Sequence, residues 1–107
     1  MSAITDQALV VHLPEAVSPP EDGIISRTIY QDERLKTVVF GFGAGQELSE
    51  HTSAKPAVMH FLSGEADVML GGAPLVATAG TWVHMAAGLA HSIAAKTPTV
   101  MLLMLYK

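Results

Sequence analysis

The sequence predicts an all-β domain, a sandwich or barrel built from short antiparallel strands. Two observations carry this reading. Apolar and polar residues alternate with the two-residue period of a half-buried strand, as in Glu65 to Leu70, where Glu65, Asp67 and Met69 fall on one face and Ala66, Val68 and Leu70 on the other. Turn signals also recur at regular spacing: Ser63-Gly64, Gly71-Gly72, Ala79-Gly80, Ala86-Ala87-Gly88 and Thr97-Pro98.

Taken in order, residues 1 to 7 read as a polar, frayed lead. Ala8 to Leu13 reads as an edge strand ended by Pro14, and Glu15 to Gly23, with Pro19, Pro20, Asp22 and Gly23, as a loop too broken for a helix of ordinary length. Ile24 to Tyr30 is rich in β-formers and precedes a Gln31-Asp32-Glu33 turn. In the following RLKTVVFGFG, Lys36, Val38, Phe40 and Phe42 alternate with Leu35, Thr37, Val39 and Gly41, so both faces are largely apolar and the strand belongs in the middle of a sheet. The Gly41 and Gly43 pair lacks the helix start that a phosphate loop needs, and it reads as a strand end that bulges or admits another backbone. Val58 to Leu62, Glu65 to Leu70, Leu75 to Thr78, Thr81 to Met85, His91 to Ala95 and Thr99 to Tyr106 complete the strands.

At 107 residues the chain is one domain at the small end of self-sufficiency, which favours a homodimer. Half of the residues are hydrophobic, 15% are charged and the mean hydropathy is +0.37, so apolar surface is left over for a shared interface or a lined cavity. The net charge is −4 and the six Lys and Arg are scattered singly, which leaves no basic stripe for nucleic acid. No cysteine is present, so disulfides, thiolate ligands and cysteine nucleophiles are excluded, and His, Asp and Glu must carry any chemistry. The N-terminus carries Asp6 where a signal peptide would be apolar, and the longest apolar run, Val100 to Tyr106, is too short to span a membrane. The expectation is a soluble, cytoplasmic protein with no membrane partner.

Two stretches stand out, GQELSEHTSAKPAVMHFLSG from Gly45 and GTWVHMAAGLAHSI from Gly80. They resemble the paired motifs of the cupins, small RmlC-like jelly-roll barrels of the double-stranded β-helix type. The family's first motif runs Gly, five residues, His-x-His, three or four residues, Glu, six residues, Gly. Its second runs Gly, five residues, Pro-x-Gly, two residues, His, three residues, Asn. Gly45, His51 and Gly64 sit at the spacing of the first, and Gly80, Gly88 and His91 at that of the second. The resemblance covers roughly residues 35 to 105 and implies a single cupin domain over residues 1–107, with N-terminal strands of 8–30 packing on the barrel. It also exposes departures. The second histidine falls on Ser53, the glutamate on Ala57, the proline on Ala86 and the asparagine on Ala95, so of the four usual metal ligands only His51 and His91 survive.

Two imidazoles are fewer than the three protein ligands a catalytic metal usually has. Glu47, Glu50, His60 and His84 are the candidates for a third. If Ala57 occupies the inward slot, Met59 and Phe61 also point inward and His60 outward, while Val83 and Met85 take the inner face and Trp82 and His84 the outer one. Glu47 or Glu50 is also placed to orient His51. The expected ligand pocket is therefore His51, Ser53, Ala57, Met59, Phe61, Val83, Met85 and His91. The expected cofactor is one divalent transition metal, Fe, Mn, Ni or Zn, weakly held, or none. Three functions fit: binding of a small, largely apolar molecule in the barrel; a metal-dependent oxygenase or isomerase using His51 and His91; and a non-catalytic sensor or interaction module. No serine sits in a nucleophile-elbow frame and no carboxylate pair faces a common space, so hydrolase chemistry is disfavoured.

Overall fold

The structure is a computed structural model that describes the whole chain except Met1, Thr5 and Asp6, with Ser2–Ile4 given as backbone only. Eleven strands and one helical turn are described: β1 (Ser2–Ile4), β2 (Leu9–Val11), α1 (Leu13–Ala16), β3 (Ile24–Gln31), β4 (Leu35–Phe42), β5 (Glu47–His51), β6 (Ala57–Ser63), β7 (Ala66–Leu70), β8 (Ala73–Ala77), β9 (Trp82–Met85), β10 (His91–Ala95) and β11 (Thr99–Tyr106). Antiparallel pairing gives a five-stranded sheet in the order β3-β4-β11-β6-β9 and a four-stranded sheet in the order β5-β10-β7-β8. Connections that switch repeatedly between the two sheets make a jelly roll.

Cross-strand partners share a face, so register shows what fills the space between the sheets. One row of partners runs Phe40, Met101, Phe61; the next runs Val38, Leu103, Met59, Val83; the third runs Lys36, Leu105, Ala57, Met85. On the facing sheet Ala66, Val68 and Leu70 pair with Ala95, Ile93 and His91. Phe61, Met59, Met85 and Val68 are at most 2% exposed and belong to one apolar cluster. The alternation read in the sequence therefore holds for β4, β6, β7 and β9. As expected of a central strand, β4 lies between β3 and β11 with Thr37, Val38 and Val39 all buried.

The N-terminal segment crosses the outer face of the larger sheet, where Ala16 and Val17 pack with Val39, Ile29 and Leu102 as a second cluster. This explains the paired glycines Gly41 and Gly43 at the end of β4. A Cβ on Gly43 would lie 2.7 Å from the carbonyl oxygen of Pro20, and one on Gly41 would lie 3.1 Å from Cα of Pro19. The glycines admit another backbone, and no phosphate loop forms.

Three expectations need correction. The lead of residues 1 to 7 contains β1, which pairs with β2 from Ser2 opposite Val11 to Ile4 opposite Leu9; its remaining residues Met1, Thr5 and Asp6 lie outside the described residues. Residues 13–16, expected as strand end and loop, close a single helical turn with Pro14 in its first turn, where a missing N–H costs nothing. The polar run Glu47–His51, which is not among the strands read in the sequence, is the edge strand β5. At the β3–β4 turn, Asp32 accepts from the backbone N–H groups of Arg34 and Leu35 at 2.8 and 2.9 Å and from the Tyr30 hydroxyl at 2.7 Å. Those three donors hold its carboxyl below the usual carboxylate range.

Candidate functional site

His51 ends β5 and His91 begins β10, and the two are direct partners in the antiparallel register. Leu48 and His51 are an odd number of residues apart, so a regular strand would send them to opposite faces. The register shifts between His91 and Ile93, pairing Leu48 with Ile93 and His51 with His91. The extra residue on β5 brings both Leu48 and His51 to the barrel side. The ring centroids lie 4.2 Å apart with the planes tilted by 58°. His91 is buried at 6% exposure, and His51 is exposed at the rim.

Each ring is oriented by its own backbone. Nδ1 of His51 lies 2.8 Å from the carbonyl oxygen of Ser49, and Nδ1 of His91 lies 2.9 Å from that of Leu89. A carbonyl only accepts, so each Nδ1 carries a hydrogen, and in the neutral form of each ring Nε2 is the acceptor. In both cases the acceptor lies two residues before the histidine. The loops that carry the rings are joined as well: the N–H of Gly88 donates to the carbonyl of Ser53 at 2.8 Å. Gly88 adopts φ of +81°, a backbone conformation that glycine enters at little cost.

The remaining sequence-predicted residues divide clearly. Ser53 lies in the loop after His51, half-buried, with its main chain engaged by Gly88. Ala57, Met59, Phe61, Val83 and Met85 face inward as expected, but they pack on one another as core. Among the described residues, cavities are found elsewhere. One of about 530 Å³ sits on the outer face of the smaller sheet among Asp67, Met69, Pro74, Val76, Ser92 and Ala94. One of about 460 Å³ lies under the N-terminal strand beside Val11, Ile29 and Leu102, and one of about 240 Å³ lies beside Pro14, Val17 and Leu62.

The third-ligand candidates do not gather. Among the described residues no group of three or more His, Asp or Glu is placed to hold a metal ion, so Glu47, Glu50, His60 and His84 do not complete a set with His51 and His91. His60 pairs with Trp82 and His84 with Val58 on the outer face of the larger sheet, where Trp82 is 57% exposed. The expected orienting role of Glu47 or Glu50 falls instead to the Ser49 carbonyl. Two imidazoles with bare Nε2 atoms suit a divalent transition metal as partial ligands, but Ser53 and Ala57 add nothing comparable, and the donor set does not fit a resident catalytic metal.

Sequence reasoning missed Lys36, which shares the barrel face of its row with Leu105, Ala57 and Met85. Its alternation with Val38 and Phe40 was the available signal. Among the described residues no helix is long and apolar enough to cross a membrane.

No family model matches the chain, and no curated protein matches its sequence. Solved structures do match. A conserved protein of unknown function from Streptococcus pyogenes is 31% identical with a TM-score of 0.84, over 96% of this chain and 90% of that one. An RmlC-like cupin from Desulfovibrio desulfuricans is 26% identical with a TM-score of 0.81, over 91% and 94%. A cupin superfamily protein from Desulfitobacterium hafniense is 22% identical with a TM-score of 0.80, over 84% and 83%. With the paired glycine-framed motifs, the two-sheet jelly roll and the facing histidines all in place, the chain belongs to the cupin superfamily, in its RmlC-like form.

Proposed function

We propose that the protein binds a small, largely apolar molecule at the rim of the barrel, against His51 and His91, and holds a divalent metal weakly or not at all. The observation that carries this is the pair of imidazoles, brought to 4.2 Å with both Nδ1 atoms tied to the main chain and both Nε2 atoms left bare. Two fixed acceptors beside Leu70, the cross-strand partner of His91, are what an orienting, mostly apolar site requires. Binding is confined to the rim because the deeper inward side chains are close-packed.

A melting-point screen against small aromatic and fatty compounds tests the proposal. A ligand present at about 100 times its Kd stabilises the folded state by about 2.7 kcal/mol, which for a domain of this size raises the midpoint by roughly 10–20 °C. His51→Ala with His91→Ala is expected to remove that shift while leaving a cooperative transition. Absence of a shift with every compound and with every metal would favour a non-catalytic interaction module.

A metal-dependent oxygenase or isomerase is the second reading, favoured by the tautomer, since Nδ1–H bonded to a carbonyl is the state of a ligating imidazole. Elemental analysis of protein purified without a histidine tag decides between them. We expect well under one metal per chain; iron or manganese near unity, lost in the double histidine variant, would establish the second reading. The partner we propose is a second copy of the chain, supported by exposed Trp82 and Tyr106 on or beside the outer face of the larger sheet. Sedimentation equilibrium is expected to return a dimer mass, and a monomer at micromolar concentration would refute it.

A further inference from the structure

We infer that the ligand of the rim carries a carboxylate, which the ammonium of Lys36 receives. This rests on the proposed binding function and names the class of molecule. β5 ends at His51 and the chain crosses to the other sheet at Ala57; β9 ends at Met85 and crosses back at His91. The row Lys36, Leu105, Ala57, Met85 and the row His51, His91, Leu70 therefore form the two sides of one open end of the barrel.

On both inner faces, among the described residues, Lys36 is the single Lys, Arg, Asp or Glu. Its row partners Leu105 and Ala57 belong to the apolar core, and the lysine itself is half-buried. No ion pair or side-chain hydrogen bond to Lys36 occurs among the described residues; the ion pairs of Lys96 with Glu65 and Asp67, at 3.5 and 3.4 Å, lie at the opposite end. The stem of Lys36 shares its row with apolar Leu105 and Ala57 while its ammonium has no counter-ion among the described residues, and an anion arriving at the rim supplies that partner.

The wider charge distribution points the same way. Four of the six Lys and Arg, namely Arg34, Lys36, Lys55 and Lys107, lie at the histidine end, with Asp32, Glu33 and Glu50 as the acids there. Asp32 is already occupied by the turn. Five carboxylates, Glu21, Asp22, Glu47, Glu65 and Asp67, lie toward the other end with Lys96 as their cation. A net acidic protein thus keeps its negative field away from the rim and meets an anion there with the least repulsion. One lysine with no arginine fork suits a singly charged carboxylate better than a phosphate, and the apolar neighbours accept its hydrocarbon body.

The test compares butanoate, hexanoate and octanoate with their primary amides by calorimetric titration of the untagged chain. Each carboxylate is expected to bind about tenfold tighter than its amide, as a charge-assisted bond exceeds a neutral one. Lys36→Met, which keeps the hydrocarbon stem, should erase the difference, and Lys36→Arg should keep most of it. If amides bind as well as carboxylates, the inference fails while the binding function stands. If neither class binds while neutral aromatic compounds do, the inference fails again and the proposed function survives. If nothing binds at all, both fail.

Discussion

Gly64→Ala is expected to be among the most damaging single substitutions in the chain. Gly64 sits between β6 and β7 at φ of +87°, where a side chain costs about 1–2 kcal/mol in backbone strain alone. An added Cβ would also run into the carbonyl oxygen of Pro98 and stand 2.7 Å from Cα of Thr99. Those atoms are held from several sides. Glu65 N–H donates to Oγ1 of Thr97 at 2.9 Å, Lys96 N–H donates to the Glu65 carbonyl at 2.8 Å, and the Thr99 hydroxyl donates to the Thr97 carbonyl at 2.8 Å. Two turns are locked face to face, so the clash is relieved only by displacing the start of β11, for about 1–3 kcal/mol more. Gly80 supplies the control, since it has φ of +93° and nothing within 4 Å of its Cβ position. In urea titrations Gly64→Ala should lose more stability than Gly80→Ala by the amount of the clash, and equal losses would mean that the two turns do not press on each other.

Phe61→Ala is expected to cost about 3–5 kcal/mol, a large share of the roughly 5–15 kcal/mol by which a domain is stable. The ring is fully buried in the cluster that contains Met59 and Met101, and its backbone is fixed on both sides, with Phe61 N–H donating to Thr81 and Gly80 N–H donating to Phe61, each at 2.8 Å. A side chain so held cannot let its neighbours collapse into the space it leaves. The same variant separates core from pocket. A packing residue loses stability when truncated, whereas a residue lining an open ligand pocket loses little stability and changes ligand affinity. A melting midpoint near that of the parent, with altered ligand affinity, would restore Phe61 to the pocket.

The parts of the fold that were legible in the sequence are those where burial writes a clear period. In β4, β6, β7 and β9 one face meets a core, so Phe40, Phe61, Val68 and Val83 alternate with residues that do not share that core. Strand β5 was not legible. It is an edge strand whose Glu47, Ser49, Glu50 and His51 are exposed, and its bulge puts Leu48 and His51, three apart, on the same side. Alternation fails there for a physical reason, the extra residue that brings His51 opposite His91. The spacing of motif glycines marked both histidines, but not what orients them, because the Ser49 and Leu89 carbonyls belong to the main chain and every residue has one. Lys36 was visible in the pattern of β4 as a charge on the inner face. Its meaning came only from the register that places it on the same rim as the histidines.

Two imidazoles, each held through Nδ1–H by a main-chain carbonyl, are proposed to meet one ligand together through Nε2. A long-range proton–nitrogen correlation spectrum of the labelled protein, recorded at neutral pH through a titration with the compound that raises the melting midpoint most, reads this directly. The expected spectrum shows His51 and His91 protonated at Nδ1, with both Nε2 signals moving together along one binding curve. Protonation at Nε2 in either ring, or a ligand that shifts neither signal while binding elsewhere, would contradict it.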